Sequence, residues 1–182
     1  MGANDRDENL TTDAGPWPPY AFVPGGPWPH PTRSPGGHSF GQAHATVPPV
    51  VGDDWPRSAA YLRGVALFNA GFYWEAHEVW ESLWHAHGRT GPTADVIKAL
   101  IKLAAAGVKV REGQPHGITT HARRAAELFA KARADAGPSL LGLGLDGYAA
   151  IALEIATAPP VDPGSRDARV TRVFAFRIEP RR

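Results

Sequence analysis

Between Phe68 and Trp84 the chain reads Phe-Asn-Ala-Gly-Phe-Tyr-Trp-Glu-Ala-His-Glu-Val-Trp-Glu-Ser-Leu-Trp, with aromatic and acid or imidazole side chains interleaved so densely that few arrangements satisfy both. Wound as a helix from about Tyr73 to His87, at about 100° per residue, the stretch divides into two adjoining arcs. Leu83, Ala76, Trp80, Tyr73 and Trp84 fall on one arc, and His77, Glu81, Trp74, His85 and Glu78 on the next. The aromatic arc drives burial, so the charged arc is carried to the edge of the core or into it. Ionised groups there need partners, because an unpaired buried carboxylate is costly or takes up a proton. One face of a buried helix is therefore expected to hold a ligand pocket, an ion-pair network or a metal.

The rest of the chain extends this pattern. With 182 residues, 43% of them hydrophobic, it can bury one sizeable core. Asp53 and Asp54 offer caps for a first helix carrying Tyr61, Leu62, Val65, Leu67 and Phe68, and Gly71 offers its stop. Pro92 suits the first turn of a third helix reaching about Glu112. Only Asp95, Lys98, Lys102, Lys109 and Glu112 form a polar stripe on it, so it is expected to be central. A fourth helix follows Gln114-Pro-His-Gly117 and runs to about Ala136. Its Ile118, Ala122, Ala125, Ala126, Phe129 and Ala132 face inward, while His121, Arg123, Arg124, Glu127, Lys131 and Arg133 read as a solvated face. Asp146 caps a fifth helix through about Ala158, bearing Tyr148, Ile151, Leu153 and Ile155.

Outside this body the composition changes. Pro16-Trp-Pro-Pro-Tyr-Ala-Phe-Val-Pro-Gly-Gly-Pro-Trp-Pro-His30 forbids helix, yet Trp17, Tyr20, Phe22, Trp28 and Phe40 are costly to leave in water. An irregular but ordered arm lying across the helices is expected. Residues 169–179 alternate polar and apolar, as a strand or an extended segment returning over the core does. The expectation is an all-α fold. A compact bundle of about five helices over residues 53–158 is wrapped by an arm over 14–52 and followed by a short extended segment over 159–182, with 1–13 as a disordered tail.

Several function classes start low. A net charge of +1 favours neither a nucleic-acid nor a membrane partner. Without cysteine there is no disulfide, thiolate zinc site or cysteine nucleophile. No segment approaches the 18 or so uninterrupted apolar residues of a membrane span, and the N-terminal residues do not read as a signal peptide. A soluble, cytoplasmic protein is the expectation.

The run Leu67 to Trp84, with Lys98-Ala-Leu-Ile-Lys-Leu-Ala-Ala-Ala-Gly-Val-Lys-Val-Arg-Glu-Gly113 and the stretch Gly117 to Leu128, resembles the DUF309 family. The matching positions are Phe68, Gly71, Tyr73, Glu75, His77, Glu78, Glu81 and Trp84. Tyr20-Ala-Phe-Val-Pro-Gly25 and the Pro29-His-Pro and Gly37-His-Ser segments resemble the arm of longer members. The resemblance implies a compact all-helical fold. It implies no reaction, because the biochemical role of the family is not established.

His77-Glu78-Val-Trp-Glu81 begins like the zinc motif His-Glu-x-x-His, with Glu81 where the second histidine would stand. His77 and Glu81, one turn apart, are candidate ligands of a divalent transition metal. His30 and His38 are the arm residues able to complete the set. Glu78, Glu81 and His77 are the candidate catalytic residues of a metal-assisted or acid/base hydrolase, should the protein be an enzyme. Glu75, Tyr73, Trp84, Lys102 and Lys109 are candidate ligand-binding residues of a pocket for a small polar molecule. The alternative is a non-enzymatic helical scaffold or protein-interaction module. In it Lys98, Lys102 and Lys109 pair with Glu75, Glu78 and Glu81, and His77 is a hydrogen-bonded core imidazole. Broad aromatic faces also favour self-association, so a homodimer belongs among the expectations.

Overall fold

Ser58 opens the helical body: its hydroxyl accepts from the Tyr61 N–H and so satisfies one donor that the first turn leaves unbonded. The sequence pointed instead to Asp53 and Asp54. Asp54 precedes only a single 3-10 turn, Trp55–Arg57, and makes no capping bond with its side chain. The computed structural model describes residues 15–43, 46–162 and 166–182, so the tail expected over 1–13 lies outside the described residues.

Five helices follow one another among these residues: α1 (Ala59–Ala70), α2 (Tyr73–Ala86), α3 (Pro92–Arg111), α4 (Pro115–Ala136) and α5 (Leu145–Thr157). The fold is a compact all-α bundle in which each helix packs on the next. Gly71, at φ 95°, stops α1 in the left-handed conformation that costs glycine least, and α2 starts two residues later. Pro92 and Pro115 occupy first turns, where a missing N–H breaks no helical bond. Of the arc of α2 expected to be buried, Tyr73, Ala76, Trp80 and Leu83 are buried, while Trp84 is only partly so. Central α3 keeps partial exposure at Asp95, Lys98, Lys102 and Lys109 of its narrow polar stripe, whereas Glu112, at its C-cap, is buried and pairs with Lys109. On α5, Leu153 is half exposed instead of joining Ile155 in the core. Asp146 lies in its first turn and pairs with Arg133 at 2.9 Å, while Gly144 occupies the cap position.

Two close approaches fix the helix spacing. A Cβ on Gly64 would lie 2.1 Å from the Trp80 indole nitrogen, so α1 and α2 meet where only hydrogen fits. A Cβ on Gly107 would lie 2.7 Å from the Tyr73 ring, which seats α2 equally close to α3.

Between α4 and α5 a minimal hairpin joins β1 (Ser139–Leu140) to β2 (Leu143–Gly144). Both loop residues, Leu141 and Gly142, have positive φ, as a two-residue hairpin turn requires. Burial of the Leu141 side chain, and the bond its carbonyl accepts from the Tyr61 hydroxyl at 2.8 Å, offset the strain of a left-handed leucine.

The arm and the C-terminal segment close over the α1–α2 pair. Trp17 stacks on Phe72, Tyr20 on Trp28, and Phe22 meets Trp74 edge to face at 4.9 Å. The Val50 N–H donates to His87 Nε2 at 3.0 Å and holds the far end of the arm. Among the described residues the C-terminal segment forms no ladder despite its alternation, and a backbone bond from Ala21 N–H to the Arg169 carbonyl joins it to the arm. Side chains satisfy its backbone instead. Tyr73 Oη accepts from Val173 N–H, the Asn69 amide bonds both N–H and C=O of Ile178, and Tyr148 Oη accepts from Glu179 N–H. Phe174 stacks on Phe68 at 5.7 Å and is buried. No helix among the described residues is long and apolar enough to cross a membrane.

Candidate functional site

Helix α2 presents polar groups to two different surroundings. On the arm side, Glu75 is only 6% exposed. Its Oε1 accepts from the Phe22 N–H at 2.9 Å and meets His38 Nε2 at 3.2 Å. Its Oε2 is buried and has no hydrogen-bond partner among the described residues. The His38 ring packs on Tyr20, and its Nδ1 lies 3.0 Å from the Ser39 hydroxyl. Glu75 and His38 line a cleft of about 270 Å³ between the arm and α2, together with Thr32, Ser39, Glu78 and Ser82. Leu67, Trp74 and Val79 supply apolar wall.

On the α3 side, His77 Nε2 lies 3.7 Å from Glu81 Oε2. Ligand-type atoms of His77, Glu78 and Glu81 lie within 4.8 Å of one another. Burial lowers the affinity of His77 for a proton; Glu81 opposes this, and Lys98 and Lys102 add to it. His121 of α4 belongs to the same neighbourhood. Burial first, then Lys102, Lys109 and His77, bring its pKa down to about 4. Neutral imidazoles are what a metal needs, but Lys98 and Lys102 supply positive charge that opposes a cation there.

The other expected residues are dispersed. Tyr73 is core, its hydroxyl committed to Val173, and burial raises its pKa. Trp84 lies under the Lys98 ammonium at 3.7 Å, a cation–π contact. Lys109 pairs with Glu112 at 2.6 Å, and Lys102 lies beside His77 and His121. His30 wedges between Phe22 and Trp74, and its Nδ1 accepts from the Thr32 and Arg33 N–H groups at 3.3 Å. The arm histidines thus gather around Glu75 and Trp74, while His77 and Glu81 gather with α3 and α4. His121 is the residue that sequence reasoning left on a solvated face. Its signal was position: it stands three after Ile118 and four before Ala125, both buried.

Residues 61–120 match the model of a family described as Domain of unknown function (DUF309). That stretch of the helical body is similar to the DUF309 family. No curated protein and no solved structure matches the chain. The DUF309 match runs from the first turn of α1 into α4 and contains Glu75, His77, Glu78, Glu81 and the three lysines of α3. The groups that bond Glu75, Phe22 N–H and His38, come from outside the DUF309 stretch, on the arm.

Proposed function

We propose that the DUF309-like stretch and the arm together form a binding site for a small polar ligand in the cleft at Glu75. The observation that carries this reading is the buried Oε2, unpartnered among the described residues, of a carboxylate that lines a cleft. Such an oxygen costs stability unless something donates to it, and a ligand N–H or O–H is a donor that a cleft admits. At about 270 Å³ the cleft is just under the range of about 300–1,000 Å³ that drug-sized molecules occupy, which selects small metabolites. Binding is favoured over acid–base chemistry because both ring nitrogens of His38 already face protein groups, Glu75 and Ser39. A ligand-observed NMR screen of small amines, amides, polyols and carboxylates tests the reading. At least one class is expected to bind wild-type protein and to lose binding in Glu75→Gln. If no compound distinguishes the two proteins, the reading fails.

The proximity of donor atoms on His77, Glu78 and Glu81 supports a second reading, a divalent transition-metal site on the α3 side. Elemental analysis of wild type, His77→Ala and Glu81→Ala after incubation with zinc, manganese or iron and desalting decides it. Near-stoichiometric metal lost in both variants supports the site, and metal-free wild type removes it.

A further inference from the structure

Resting on the cleft reading above, we propose that its ligand is a small organic cation carrying a primary ammonium group, held by Glu75. Oε1 has two partners, Phe22 N–H and His38 Nε2, which match its two lone pairs. A planar guanidinium fork needs both oxygens, so a bidentate clasp is blocked. An ammonium is a compact charge with three divergent donors and can approach Oε2 alone.

The charge around the cleft points the same way. Among the described residues, Glu75 and Glu78 both line it, against one guanidinium, Arg63. Arg63 directs its nitrogens to the carbonyls of Gly15 and Pro16 and lies over Trp17 at 5.4 Å, so its donors serve the arm. The Phe22 N–H hydrogen-bonds Glu75 without neutralising it, and His38 neutralises it only when protonated, whereas an ammonium on Oε2 both donates and carries the compensating charge. Thr32, Ser39 and Ser82 line the same space, and a hydroxyl oxygen can accept a further ammonium hydrogen. Leu67, Val79 and Trp74 offer apolar surface to a short alkyl stem. Glu75 and Glu78 disfavour an anion in the same space.

The test titrates the full chain, at constant ionic strength, with n-butylammonium chloride, 1-butanol and sodium butyrate. Binding is followed by calorimetry and by the tryptophan indole resonances. Butylammonium is expected to saturate, with butanol at least about tenfold weaker and butyrate weaker still. Glu75→Gln, shown to be folded by its melting curve, is expected to lose at least about tenfold, and Glu78→Gln to lose less. Failure of butylammonium to saturate, butanol binding as well as butylammonium, or butylammonium binding that survives Glu75→Gln overturns the proposal. If butanol binds in a Glu75-dependent way, the cleft stands and only the cation falls. If nothing binds in that way, both fall. Competition by acetyl-Gly-Lys-Gly-amide separates the two sources of an ammonium: equal competition assigns it to a lysine of a protein partner, and none to a free amine.

Discussion

Glu75 and His77 stand two residues apart on α2, yet one faces the arm and its cleft while the other lies near the lysines of α3. Removing the first has a defined effect. Glu75→Ala leaves the Phe22 N–H and His38 without their acceptor, and the expected cost is about 1–3 kcal/mol, read as a lower denaturant midpoint at unchanged m. Glu75→Gln keeps an acceptor and removes a buried charge, so its stability is expected to stay closer to wild type. His121 sets a pH dependence. An unfolded histidine takes up its proton near pH 6.5, and His121 in the folded protein only near about 4. Between those values the unfolded chain binds more protons, so the stabilisation is fully present above about pH 6.5 and is lost as pH falls toward 4. His30, His77 and His87 are lowered too and act in the same direction. Melting temperature is expected to fall from pH 7 to 4.5, less steeply in His121→Gln. Periodicity exposed the buried arc of α2 because Trp80 and Leu83 repeat with the helix. It could not expose Glu75, whose partners lie 37 and 53 residues away on an arm without period.

At the scale of elements, the helices stand where glycine allows. Gly64→Ala drives a methyl group into the Trp80 indole, and Gly107→Ala drives one into the Tyr73 ring. Each is expected to cost about 1–3 kcal/mol through overpacking, although alanine is the better helix former. Equilibrium unfolding of both variants checks this, and a gain in stability would mean that the helices slide apart freely. The helix ends were largely legible, since Gly71, Pro92 and Gly137 punctuate a strongly patterned chain. The Ser58 cap was obscured by the aspartates before Trp55, which precede a 3-10 turn. The hairpin at 139–144 was obscured because its left-handed loop contains a leucine, a choice that burial of Leu141 explains and propensity does not.

For the whole molecule, the bundle is finished by chain that is not helical. Phe174→Ala removes a ring stacked on Phe68 and set against Tyr73, and is expected to cost about 3–5 kcal/mol by thermal or denaturant unfolding. The alternation over 169–179 gave the extended form of this segment. Its attachment was not legible, because side-chain amides and phenols, rather than a neighbouring strand, take its backbone bonds. Val173 follows Tyr73, the side chain that receives it, by 100 residues. At the usual rate of synthesis of about 5–20 residues per second, the nascent α1–α2 pair waits about 5–20 s before Phe174 can cover its share of Phe68 and Tyr73. During that interval the ribosome-bound chain offers chaperones an aromatic surface that the finished protein never shows.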